Sequence, residues 1–225
     1  MPSRAGASRP TGRRPGGRPP RLLAEQIRDR IVEAATPLFL TEGYGATSIE
    51  AVAKRARMSK RTVYSRFRDK AELFGAVVHR LVDRLRPPSG NTEQFFEGSN
   101  LEAILRRLAG LILRAALSPS ALALHRVIVS EATRFPELAA AVNQEGTRRE
   151  AIRRIAALLE RERSAGELGA GNAEFAAEQF LHMLVAGPQR RALGLGTPMT
   201  EADLEAWARN AVDLFLQGCR GTMAR

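Results

Sequence analysis

Apolar residues recur at helical spacing along nearly the whole chain, and no segment alternates as a half-buried strand would. The pattern predicts an all-α protein of about nine helices. Ile27, Ile31, Ala34, Ala35, Leu38 and Phe39 form one stripe and predict a first helix from about Leu22 to Thr41. Pro37 falls inside it and is expected to remove a backbone bond and bend the helix. Gly43-Tyr44-Gly45 then ends it. Thr47 and Glu50 have the spacing of a capping box, and Ile49, Val52, Ala53 and Ala56 supply the inner face of a short second helix. Arg57-Met58 makes a bend, Ser59 is an N-cap candidate, and Val63 and Phe67 anchor a third short helix inward. Asp69 and Glu72 form another box, opening a helix from Lys70 to about Leu85 with Leu73, Phe74, Val77, Val78, Leu81 and Leu85 along one stripe.

Beyond Pro87-Pro88-Ser89-Gly90 the pattern stays helical. Segments are predicted at Leu101–Leu117, from Ser118-Pro119 to about Arg134, across Glu137–Arg163 with an interruption at Gly146, at Ala173–Gly187, and from Thr200 to about Gln217. This divides the chain into a three-helix unit with its connecting helix (residues 22–86) and a helical domain (92–218). In the last segment Leu204, Ala208, Ala211 and Phe215 recur at i, i+4, i+7 and i+11, with Trp207 and Val212 alongside. Small residues in such a stripe let helices approach closely, which predicts a homodimer through the last two helices; the alternative is that the stripe packs only within its own subunit.

Charge changes this outline. The formal net charge is +11 over 225 residues. Residues 1–86 hold 19 Lys and Arg against 8 Asp and Glu, so all of the excess lies in the first part, and the remainder is neutral. One part is expected to meet nucleic acid and the other not. Residues 1–21, rich in Pro, Gly and Arg, cannot bury enough surface to offset their ordering entropy and are expected to be a disordered basic arm carrying Arg13, Arg14 and Arg18. Gly17-Arg18-Pro19 resembles part of an AT-hook core without its leading Arg. A minor-groove role and a nonspecific electrostatic role both remain open for it.

Cations also sit where a self-sufficient helix would not place them. Lys60 and Arg61 open the third helix and Lys70 the fourth, opposing the helix dipole. Phosphates laid across those N-termini would make the arrangement favourable. The expected partner is double-stranded DNA; a solvated basic face on a small helical hairpin is the alternative. Thr47, Ser59, Lys60, Arg61, Thr62, Tyr64, Ser65, Arg66 and Lys70 are the predicted DNA contacts, with Arg61 and Thr62 on base edges and Tyr64 and Lys70 on phosphates.

From about Arg28 to Leu85, the run AATPLFLTEGYGATSIEAVA and then MSKRTVYSRFRDKAELF resembles the DNA-binding domain of the TetR family of bacterial transcriptional regulators. Phe39, Gly43-Tyr44, Thr47, Thr62-Val63-Tyr64, Phe67 and Lys70 carry the likeness; Arg61 and Arg66 depart from the small residue and the His frequent at those places. Arg126-Val127-Ile128, Glu131 and Arg134-Phe135-Pro136-Glu137-Leu138, with a later Gly-Glu-Leu loop, resemble the C-terminal domain of AefR-like members. The resemblance implies a helix-turn-helix domain followed by a ligand-binding and dimerisation domain. It implies a repressor that binds a palindromic operator as a dimer and is released by a small-molecule effector.

An effector is expected near Leu105, Leu108, His125, Val129, Phe180 and Met183, with the fourth helix as the lever between domains. A ligand-independent architectural DNA-binding protein is the alternative; it would show a salt slope and no preferred site. No catalytic constellation, phosphate loop or metal spacing is present, so neither enzyme activity nor a cofactor or metal is expected; Glu131 and Arg134 read as an ordinary helix ion pair, with a polar handle at a pocket as the alternative. The single Cys219, the lack of a spanning apolar run and the lack of a signal-peptide core predict a soluble cytoplasmic protein with no membrane partner.

Overall fold

The computed structural model describes residues 21–85, 96, 100–138, 147–166, 168, 169 and 171–219. The helices placed among them are α1 (Arg21–Ala46), α2 (Ile49–Ala56), α3 (Lys60–Tyr64), α4 (Lys70–Leu85), α5 (Leu101–Ala116), α6 (Pro119–Glu131), α7 (Thr147–Ser164), α8 (Ala173–Ala192) and α9 (Glu201–Cys219). Among the described residues there is no strand, in keeping with the all-α expectation. Arg13, Arg14, Arg18 and Gly146 lie outside the described residues.

Boundaries differ from the expected ones where tertiary partners intervene. The N-cap of α2 is Ser48, not Thr47: its hydroxyl accepts the Ala51 N–H at 3.1 Å. Thr47 is buried and donates its own hydroxyl to the Gly43 carbonyl at 2.7 Å. Helix α1 runs through Pro37, and its non-helical backbone falls at Gly43 (φ 87°, ψ 172°), a conformation that favours a residue without Cβ.

Helix α8 likewise passes the expected stop at Gly187 and continues through Pro188. Pro188 has no N–H for the carbonyl four residues back, that of Leu184. The Trp207 indole N–H of α9 takes that carbonyl instead, at 2.9 Å. Gly187 is where the same ring fits, since a Cβ there would stand 2.7 Å from it. Sequence punctuation read as an end is a docking site for tryptophan.

The helices build two cores. The first gathers Ile31, Ala35, Phe39, Val52, Val63, Phe67, Leu73, Phe74 and Val77 from α1–α4. It also takes Val127 of α6, and Leu138, so the packing does not follow the expected division of the chain near residue 90. Phe39 and Tyr44 stack at 5.9 Å, and Phe74 meets both rings edge-on at 5.3 and 5.4 Å. The second core gathers Ile104, Leu105, Leu108, Ile155, Leu158, Phe180, Leu184, Val212 and Phe215 from α5, α7, α8 and α9.

This packing draws most of the stripe expected at the dimer seam inward. Ala208, Ala211, Val212 and Phe215 are buried in the second core of their own chain, and Leu204 and Trp207 are half-buried. Burying side chains such as Val212 and Phe215 stabilises by about 1.5–3 kcal/mol each, so the fold of one chain decides which way α9 faces. What remains outside is a different apolar face, with Phe175 and Leu214 each more than half exposed.

The expected effector residues do not form one site either. Leu105, Leu108 and Phe180 are close-packed in the second core, whereas His125 is half-buried on α6 and Met183 half-buried on α8. Val129 is 66% exposed, because α6 turns Val127 inward to the first core.

Candidate DNA-binding surface

The surface is built on α2 and α3. Ser59 caps α3, its hydroxyl accepting the Thr62 N–H at 3.0 Å. Val63 and Phe67 are wholly buried as expected, and the Arg28 guanidinium lies 4.7 Å over the Phe67 ring. Those anchors leave Lys60, Arg61, Tyr64 and Ser65 exposed, while Thr62 and Arg66 are half-buried. Thr62 Oγ1 shares a hydrogen bond with Ser59 Oγ at 2.8 Å, and Ser65 Oγ donates to the Thr62 carbonyl at 2.7 Å. The Arg66 Nε is buried without a partner.

Lys60 is not an unpaired cation. Its ammonium bonds the Glu50 carboxylate of α2, which holds the Glu50 carboxyl below its ordinary range and raises Lys60. Lys54, Arg55 and Arg57 are further exposed cations; the first two sit in the last turn of α2, where they complement its dipole. Arg57 closes that helix in the left-handed region (φ 55°).

Lys70, expected on a phosphate, is engaged by its own chain. Its ammonium lies 2.8, 3.4 and 3.2 Å from the carbonyl oxygens of Tyr44, Gly45 and Thr47, and 4.4 Å from the Tyr44 ring centre. Burial lowers its pKa, against the pull of Glu131 and Glu137. Three N–H donors face three carbonyls at the end of α1, so this cation closes one helix while opening another. Thr47, buried with its hydroxyl committed, also presents no side chain to a ligand.

Around this point the second part of the chain contributes residues that sequence reasoning missed. Glu131 of α6 accepts the Tyr44 N–H at 2.8 Å through Oε1 and the Gly45 N–H at 2.6 Å through Oε2. It is not the simple partner of Arg134 that its spacing suggested. Glu137 accepts the Tyr44 hydroxyl at 3.2 Å, and Phe135 meets the Tyr44 ring at 5.1 Å. Burial first, and then the Glu137 charge, push the Tyr44 phenol well above its usual range. The available sequence signal was the pair of glycines flanking Tyr44, which marks a close approach to backbone.

The chain matches the family model of bacterial regulatory proteins of the tetR family over residues 31–77, and that of the AefR-like transcriptional repressor C-terminal domain over residues 103–218. It belongs to the TetR family. The family's members are DNA-binding transcriptional regulators, not enzymes, and this chain is one of them. It is 40% identical over 83 residues to the HTH-type transcriptional activator FasR of Mycolicibacterium smegmatis, covering 36% of each chain. It is 38% identical over 61 residues to the HTH-type transcriptional repressor Rv3405c of Mycobacterium tuberculosis, covering 27% of this chain and 32% of that one.

The chain thus spans about a third of the length of these curated relatives. Solved structures match further. A TetR-family regulator from Mesorhizobium loti superposes with a TM-score of 0.73 at 30% identity, covering 88% of this chain and 98% of that one. The flavonoid-responsive regulator FrrA gives 0.69 at 32%, covering 87% and 98%. Among the described residues no group of three or more potential metal ligands occurs, and no single helix is long and apolar enough to cross a membrane.

Proposed function

We propose that the chain is a dimeric repressor that binds a two-fold symmetric DNA site through α3 and is released by a small molecule. The observation that carries the DNA part is the start of α3: an exposed Arg61, with Lys60, Tyr64 and Ser65 beside it, on a helix fixed from behind by the buried Val63 and Phe67. Arg61 and Thr62 read base edges in this proposal, while Lys60, Tyr64 and Ser65 hold the backbone. The arm cations Arg13, Arg14 and Arg18 add a salt-dependent attraction. Repression follows the AefR-like repressor domain to which the second part is similar, and response to a small molecule follows FrrA by its name.

The dimer forms through α8 and α9, but by the face left outside the second core. Phe175, Gln179, His182 and Met183 of α8 and Leu214 of α9 line one shallow, open apolar surface. An isologous contact across it would cover Phe175 and Leu214, which are otherwise left in water. For the effector, an open groove of about 540 Å³ between α5 and α9 presents Gly110, Leu113, Leu117 and Ala208 with Arg106 and Arg114.

Selection of bound DNA from a random pool with purified protein tests the proposal. A recovered palindrome supports it; sequence-independent binding with only a salt slope would replace it with an architectural role. Leu214→Glu should yield folded monomers by light scattering, whereas Ala211→Glu, which buries a charge, should unfold the chain. A dimer that survives Leu214→Glu would refute this interface.

A further inference from the structure

Helix α4 packs its apolar stripe (Leu73, Phe74, Val77, Val78 and Leu81) into the first core, so it travels with the DNA-binding unit. The polar attachment of that unit comes from α6. The Glu131 carboxylate takes two successive backbone N–H groups, one on each oxygen, at the kink between α1 and α2. Such charge-assisted, two-pronged bonds are short and directional. The Lys70 ammonium takes the carbonyl oxygens of Tyr44 and Gly45, so the Tyr44–Gly45 peptide unit is held from both ends, its N–H by Glu131 and its carbonyl by Lys70. The kink is therefore held between an anion of α6 and a cation of α4, with the dipole of that one peptide aligned between them.

The fit leaves no slack. A Cβ on Gly43 would fall 2.3 Å from Glu131 Oε1, and one on Gly45 would fall 3.0 Å from Oε2 and 3.1 Å from the Phe135 ring. Ser48, the N-cap of α2, follows the kink directly, so α2 and the α3 packed against it inherit their direction from these peptides.

We propose that Glu131 is a positioning residue: by clamping the Tyr44 and Gly45 amides it fixes the helix-turn-helix relative to the rest of the chain, and so sets the half-site spacing a dimer accepts. The spacing part rests on the dimeric, operator-binding function proposed above; the clamp itself does not.

The test uses the full chain with Cys219→Ser and Glu131→Gln, a change that keeps shape but replaces one acceptor by a donor. Spin labels at Lys54→Cys of α2 and Glu160→Cys of α7, diluted with unlabelled chain, report the distance between the two units. The parent should give one narrow distribution. Glu131→Gln should broaden or displace it while the melting transition of the chain is kept, and identical distributions would overturn the clamp. Should Glu131→Gln fail to fold, Gly45→Ala pushes on the same junction from the opposite side and must give the same broadening.

The second arm measures binding to the selected operator and to versions with one base pair added to or removed from the spacer. The parent should reject the altered spacers, and Glu131→Gln should shrink that rejection by about tenfold. An unchanged ratio overturns the proposal even if the distances broaden, because loss of general stability would weaken all spacers alike. If the parent selects no site at all, the operator-binding function fails, and the distance distributions still decide the clamp.

Discussion

Two lysines open two successive helices, and the structure treats them oppositely. Lys60 at the start of α3 is exposed and paired with a side chain, Glu50, across from it. Lys70 at the start of α4 is drawn in against three backbone carbonyls and the Tyr44 ring. A cation at a helix N-terminus carries the same local penalty in both places. What differs is the neighbour. The end of α1, with unsatisfied carbonyls, abuts α4 and not α3, so one lysine becomes part of the framework and the other stays available to a partner.

The largest effect should follow from removing the framework lysine. Lys70→Met keeps an apolar stem of similar length but leaves the three carbonyls without their donor. A loss of about 1–3 kcal/mol in urea unfolding is expected. The salt dependence of DNA binding should stay as in the parent. A slope reduced by about 1 would show that Lys70 reaches a phosphate after all, and that the two lysines are alike in function.

At the α3 terminus the effect should fall on specificity, with stability untouched. Arg61→Ala should relax preference at one position per half-site by about 1–3 kcal/mol, measured by repeating the pool selection. Equal weakening on every sequence would move Arg61 from base reading to backbone contact.

The same contrast shows what the sequence made legible. Val63, Phe67, Phe74 and the Ser59 cap follow from local spacing, and they stand where spacing put them. Ser59 needs only its own next turn. The contacts of Lys70 and Glu131 were not legible because their partners are distant in sequence: Lys70 meets carbonyls at the end of α1, and Glu131 reaches back 87 positions to Tyr44. The stripe on α9 was ambiguous for a related reason. Periodicity identified Ala208, Ala211 and Phe215 as one face, but it could not say whether that face met its own chain or a second copy.

The caps of the two helices give a smaller and pH-resolved difference. Asp69 accepts the Glu72 N–H at 2.8 Å, and Glu72 returns a carboxylate oxygen to the Arg68 N–H at 2.7 Å. That backbone bond, and then Arg68, hold the Asp69 carboxyl below its ordinary range. A lowered carboxyl pKa contributes stability that is complete above the unfolded value and is lost as pH falls through the folded one. Asp69→Ala should therefore cost about 1 kcal/mol at neutral pH, with the gap to the parent closing below about pH 4. Ser59→Ala, lacking a titrating group, should show a gap that pH does not move. Parallel behaviour of the two would mean that the carboxylate charge adds nothing to the α4 cap.

The smallest change is expected at the Lys60–Glu50 pair. Both side chains are largely exposed, so their attraction is screened and offset by the entropy of holding them together. Glu50→Gln should leave the melting temperature where it is. Its consequence lies with DNA: the variant removes an anion facing the phosphates and releases the Lys60 ammonium, which then displaces a counterion of its own. Affinity should rise modestly at low salt, and the slope of log affinity against log salt should steepen by up to about 0.9. That result would place Lys60 on the DNA-facing side and make Glu50 a brake on it. If affinity falls instead, the pair itself positions α3 against α2, and Lys60 belongs to the framework as Lys70 does.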